Sequence, residues 1–298
     1  MNGFLGPFLV RELQSGLRSG RRILLLSAVL LTIATLFCLV YALVHETAST
    51  TTGDIGIGTA IFPYVVGLNL GVLCAVAPAS SARAIAYERE QHTLELLRVA
   101  PIGIHQLVLG EFIASSAFPI LLLIALLPID GLAYLLGGAT WQELGIALIL
   151  LIGSLVLFVS LGLLISSLSA GVRPAIAATY TTIGLLTLGL PVLGLLGSPL
   201  VDSWLRSSSP MLVAHPPPLL LALGEIVVAI DPWIAGSIGL AQIQRGSSLL
   251  TLTASAGLTQ TFLPAPWLLF GIESCVLSAL CLKLAARVLT RPPRKLPV

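Results

Sequence analysis

Charge is scarce in this 298-residue chain, at 9% Asp, Glu, Lys and Arg, so the places where it gathers carry information. The densest run extends from Arg83 to Arg98, where Arg83, Glu88, Arg89, Glu90, Glu95 and Arg98 stand with His92 among leucines and alanines. Carboxylates and guanidinium groups at this spacing suit a polar face that meets a partner or water. They lack the paired His or Ser that nucleophilic catalysis needs. A second isolated carboxylate, Glu273, lies inside an apolar run, where an ionised group costs on the order of 3 kcal/mol on insertion scales. Both a structural pairing and a place on a transport path account for it. Cys38, Cys74, Cys275 and Cys281 sit in apolar runs without CxxC or Cys/His spacing, so they read as small hydrophobes, and no metal set is expected. His45, His105 and His215 stand singly. No Gly-x4-Gly-Lys-Ser/Thr occurs and neither lysine follows a glycine, so no phosphate-cradling loop forms and no cofactor is expected in this chain.

The elements that must position these residues follow from hydropathy. The chain is 56% apolar with a mean hydropathy of +1.03, against about 25% charged residues in an ordinary soluble domain. These values exclude a water-soluble globule, a disordered chain and a disulfide scaffold, and nothing in the composition suggests a nucleic-acid partner. A bilayer core of about 30 Å needs about 20 helical residues. Six uncharged or nearly uncharged runs qualify: Ile23 to Val44, Ile55 to Ala82, Phe112 to Ile129, Leu144 to Val172, Pro174 to Val201, and Pro266 to Leu289. Their continuity and leucine content argue against an outer-membrane barrel, whose strands alternate over about ten residues. The fold class expected is therefore an all-α polytopic membrane protein with six transmembrane helices, forming one domain over 1–298. Between 199 and 264 the apolar stretches are broken by Pro216-Pro217-Pro218 and Glu225, and consecutive prolines cannot occupy a helix interior. That region reads as a long extracytoplasmic loop with short interfacial or re-entrant helices, in preference to two further spans.

Orientation follows from the basic residues, which mark the cytoplasmic side. With both termini inside, the inner segments carry Arg11, Arg18, Arg21, Arg22, Arg83, Arg89, Arg98, Arg173, Lys283, Arg287, Arg291, Arg294 and Lys295. The outer segments carry only Arg206 and Arg245. At the start of the chain Phe4, Leu5, Phe8, Leu9, Leu13 and Leu17 recur near a 3.6 period opposite Arg11, Gln14, Ser15 and Arg18. Residues 1–20 thus form an amphipathic helix suited to lie in the inner headgroup layer, with membrane lipid as a partner. The segment 83–110 is inner-facing and longer than a plain connector needs. Its charges suit a helix that Pro101 ends, and a second short helix from Ile104 to Gly110 would lead into the third span.

The run Glu88-Arg89-Glu90-Gln91-His92-Thr93-Leu94-Glu95-Leu96-Leu97-Arg98-Val99-Ala100-Pro101, followed by Leu107-Val108-Leu109-Gly110, resembles the first cytosolic loop of type-2 ABC-exporter permeases. His92 stands where that family usually has glycine, and Glu111 where it has lysine. The N-terminal helix, the six spans and the long outer loop are similar as well. The resemblance implies a coupling helix that contacts a separate ABC ATPase subunit through Glu88, Glu90, Thr93, Leu94, Leu97 and Pro101. It also implies ATP and Mg bound by that ATPase rather than by this chain, and a second permease subunit, identical or not. The chain would then be the multi-pass permease of an ATP-driven exporter in the cell (plasma or inner) membrane. Spans so poor in charge lean toward an amphipathic or lipid-like cargo. A secondary, ion-coupled transporter is the nearest alternative, but one intramembrane glutamate is thin support for ion coupling. An intramembrane hydrolase is more distant, because the assigned spans hold no Asp, Glu or His apart from Glu273.

Overall fold

A computed structural model of the chain describes residues 20–50, 57–91, 103–135, 139–193, 196, 203, 218–246, 250–256 and 259–290. In chain order the helices are α1 (Gly20–Thr50), α2 (Ile57–Ser81), α3 (Ala84–Glu90), α4 (Ile104–Leu135), α5 (Trp141–Leu168), α6 (Val172–Gly184), α7 (Pro218–Ala229), α8 (Pro232–Gln244) and α9 (Pro266–Thr290). A π turn, Leu185–Gly189, carries α6 onward so that its apolar length runs from Val172 to Leu193. Pro191 follows that turn and brings no N–H to the preceding helix, which suits a locally widened ladder. Among the described residues six helices are long and apolar enough to cross a membrane: α1, α2, α4, α5, α6 with its extension, and α9. In lipid every backbone polar group must be satisfied internally, and a helix does this within one segment.

Helix α5 is the axis of the bundle. It packs against α9 most extensively, then against α2, α6 and α4. Phe62 of α2, Phe158 of α5 and Phe270 of α9 are among the largest fully buried side chains. Small residues let these helices approach closely, as expected where no water drives association. A Cβ at Gly162 of α5 would stand 2.0 Å from Ser81 Oγ, and one at Gly153 would stand 2.9 Å from a Phe270 ring carbon. Buried serines on α5 return their hydroxyls to their own helix, as Ser154 does to the Leu150 carbonyl at 2.6 Å. At the start of α5, Thr140 and Glu143 form a reciprocal capping box. By contrast α1 touches mainly α2 and leaves most of its surface uncovered.

Two features depart from the sequence expectation. The third span is one continuous helix from Ile104 to Leu135 rather than a short helix leading into Phe112–Ile129. Pro119 and Pro128 stay inside it, because neighbouring helices can satisfy the carbonyls that proline frees. Asp130, expected in an outer loop, is thereby drawn into a spanning helix. The outer region also holds a two-stranded antiparallel hairpin, β1 (Thr251–Ala256) and β2 (Thr259–Pro264), with Thr251 opposite Pro264 and Ala256 opposite Thr259. Before the hairpin, α7 and α8 form a bent pair, turning 107° at a short break. Asp231 accepts from the Trp233 and Ile234 amides and Pro232 takes the first helical position, so the sequence itself starts α8 there. By length and composition the pair makes either one broken span or a re-entrant loop. The expected interfacial helix at 1–20 lies outside the described residues except for Gly20, which opens α1.

Candidate functional site

At the end of the bundle where α2, α5 and α9 finish and α6 begins, the short helix α3 packs against α5, α6 and α4. Arg83, Arg89, Arg173 and Arg287 all belong to this end. Seven residues do not make a helix that stands alone in water. Neighbours supply what α3 lacks. The Ser166 hydroxyl oxygen of α5 accepts from the Ile85 amide at 3.1 Å and the Ala86 amide at 2.9 Å, capping the start of α3. Ile85 and Ala86 are buried, so these amides have no recourse to water.

The other end of α3 returns the service. Arg89 donates to the Ser167 carbonyl at 2.8 Å and to the Ser169 carbonyl, both among the orphan acceptors at the end of α5. Glu90 accepts from the Val172 amide at 2.8 Å, where α6 begins. A cation at a helix C-terminus and an anion at a helix N-terminus each match the macrodipole. The carboxylate comes so close to Gly171 that a Cβ there would lie 2.6 Å from Glu90 Oε1. A side chain at this position would have to displace the Glu90 carboxylate, while the extended φ of −160° suits any residue.

The expected site residues divide accordingly. Glu90 is exposed and tied to α6 by one oxygen. Glu88 is half-buried and lines a small cleft with Ala84, Ile85, Leu107, Val108, Glu111 and Leu289, where α3, α4 and α9 converge. The cleft holds about 10 Å³, the threshold for one water molecule, and cannot take a cargo. Thr93, Leu94, Leu97 and Pro101 lie outside the described residues. Glu273 is far along the chain on α9, half-buried, and its Oε2 has no hydrogen-bond partner among the described residues. It does not line the apolar groove of about 520 Å³ that Ile149, Trp267, Leu268, Gly271, Ile272, Cys275 and Val276 form between α5 and α9.

Two polar residues, Asp130 and Ser166, were missed by reading the sequence. Asp130 is buried in α4 and accepts from the Asn69 side-chain amide of α2 at 2.7 Å, while Asn69 Oδ1 has no partner among the described residues. The statement that only Glu273 is acidic within the spans therefore does not hold. Ser166 was unremarkable in sequence. Its only signal is a Ser166-Ser167 pair closing a long apolar run seven residues before Arg173. No group of three or more His, Cys, Asp or Glu residues able to hold a metal occurs among the described residues.

The arrangement is a charged connector bound to the ends of several spanning helices, with no catalytic constellation among the described residues. A family model described as ABC-2 family transporter protein matches residues 9–204, well over half of the chain. The chain belongs to the ABC-2 transporter family. The matched range contains α1 to α6, and so includes α3 and every residue that anchors it. No curated protein gave a match. As an ABC-2 permease the chain is a multi-pass membrane component of a transporter, and the family carries partnership with an ABC ATPase subunit.

Proposed function

We propose that this ABC-2 permease is the membrane half of an ATP-driven exporter whose ATPase subunit docks on α3 and the segment that follows it. The single observation that carries this reading is the anchoring of α3. A loose loop would absorb a partner's push, whereas α3 is bonded at both ends to α5 and α6. Glu88, Glu90, Thr93, Leu94, Leu97 and Pro101 form the contact, with leucines as the dry centre and carboxylates as the rim. ATP and Mg belong to the ATPase, since this sequence has no phosphate-binding loop. The working unit has two permease chains and two ATPase chains in the cell membrane, with lipid around the exposed faces. An amphipathic or lipid-like cargo is favoured by spans that hold almost no charge.

The test is purification of the tagged chain from native membranes. A polypeptide with a Gly-x4-Gly-Lys-Ser/Thr motif should copurify and hydrolyse ATP. Leu94→Asp places a charge in the dry contact and should weaken that association roughly tenfold or more at unchanged permease level. Copurification at the wild-type ratio with Leu94→Asp would remove the loop from the interface.

A further inference from the structure

The hydrogen bonds around α3 have a pattern that separate caps would not produce. Three helix termini meet, and each is completed by a side chain from another of the three. Ser166, near the end of α5, caps the start of α3. Arg89, near the end of α3, takes two carbonyls at the end of α5. Glu90, beside it, takes the first amide of α6. Ser166 and Ser167 are fully buried, so solvent does not compete at the centre of the arrangement. At Gly171 a Cβ would stand 2.6 Å from Glu90 Oε1, so a side chain there would push the carboxylate off the Val172 amide.

We propose that α3 and the turn between α5 and α6 form one rigid unit, joined by Arg89, Glu90 and Ser166 as positioning residues, so that any displacement of α3 is delivered to the start of the fifth span. The rigid unit stands on this geometry alone. That the displacing force comes from an ATPase rests on the function proposed above. In this arrangement α6 is pulled through its first amide rather than through side-chain packing. The second connection at this end of the bundle, Ser169 to Val172, then acts as an extension of the first.

Ordinary caps and a rigid unit differ in reach. If Ser166 is an ordinary cap, Ser166→Ala frees only the Ile85 and Ala86 amides. If the unit is rigid, the same change also loosens the first turn of α6, which Ser166 does not touch. Amide hydrogen exchange of the purified chain in phosphatidylcholine nanodiscs reads this directly. Exchange over residues 84–91 and over 172–176 should both rise roughly tenfold in Ser166→Ala. An effect confined to 84–86 would overturn the proposal. If Ser166→Ala also exposes α2 and α9, the fold itself is lost. Arg89→Lys, which keeps the charge but not the two-carbonyl fork, then carries the test: exchange should rise over 172–176 as well as over 87–91. A rise confined to 87–91 would overturn the proposal, and Glu90→Gln, which keeps the accepting oxygen, should leave 172–176 at wild-type protection.

Delivery to α6 is read with a Val192→Cys probe, half-exposed on the far part of that span, in a chain whose four native cysteines are alanine. In the complex with its ATPase, ATP with vanadate should change the rate of fluorescein-maleimide labelling at this position. Ser166→Ala should reduce that change at least about fivefold while the ATPase copurifies and hydrolyses ATP as before. An undiminished change would overturn delivery through the unit. Should no ATPase bind the unsubstituted chain, the function proposed above fails, and the exchange result still decides the rigid unit.

Discussion

Asp130 and Glu273 show how differently a carboxyl group can be carried inside an apolar helix. Asp130 receives the Asn69 amide at 2.7 Å across the α2–α4 contact, and a hydrogen bond to a charged group is worth about 1.5–3 kcal/mol. Together with the Ser80 hydroxyl, which donates to the Ser115 carbonyl at 2.8 Å, it helps to fix the register of α2 against α4. Glu273 has no such return: its Oε2 is buried and lacks a partner among the described residues. Burial without a partner is a cost on the order of several kcal/mol for a charge, met elsewhere in the fold. A structural role and a place on the cargo path both account for such a group, and one substitution separates them. Glu273→Gln removes the charge and keeps the shape. Permease level in the membrane should stay equal or rise, while ATP-dependent transport by the reconstituted complex falls several-fold. Normal transport in that variant retires Glu273 as a functional residue.

Helix α5 holds the bundle together through what its glycines leave out. At Gly162 a Cβ would stand 2.0 Å from Ser81 Oγ and 3.0 Å from Ser81 Cβ, with the Ala82 backbone nitrogen at 3.3 Å. The backbone neighbour cannot rotate away, so α2 and α5 must separate. Gly162→Ala should destabilise the chain by about 1–3 kcal/mol, the usual cost of overpacking, and Ser81→Gly in the same chain should recover part of it. Thermal unfolding in detergent measures both. The spanning helices were legible because each must show about 20 apolar residues, and the six expected runs correspond to the six long helices. Their ends were less legible. Asp130 looked like a loop residue because hydropathy cannot register a partner such as Asn69, 61 positions away in sequence. The hairpin was not legible although Thr251, Thr253, Thr259 and Thr261 mark its strands, since hydropathy over a lipid-crossing length does not register a period of two. The site was half legible. The charges of 83–98 marked where a partner would bind, but that Arg89 and Glu90 turn back onto α5 and α6 depends on residues about 80 positions away.

The whole molecule has two chemically different ends. One gathers Arg83, Arg89, Arg173, Lys283 and Arg287 around α3, while the opposite end carries the bent α7–α8 pair and the β hairpin, with Arg245 as its described basic residue. Such a molecule cannot insert either way round with equal ease, because basic residues in short connections stay on the cytoplasmic side. The hairpin and the Gly246 turn, at a φ of 68°, would therefore face outward. Arg245 is exposed beside that turn, and Tyr87 is 54% exposed on α3, so each offers a probe that solvent reaches without disturbing a packed face. In a chain whose native cysteines are alanine, Arg245→Cys should react with a membrane-impermeant maleimide added to intact cells, and Tyr87→Cys should react only after the membrane is opened. Three spanning helices, α4, α5 and α6, separate Tyr87 from Arg245, and with α7–α8 re-entrant this odd number puts the two positions on opposite sides. If Tyr87→Cys labels in intact cells while Arg245→Cys is silent, the orientation is inverted. The ATPase would then have no access to α3, and the exporter mechanism would fail with it.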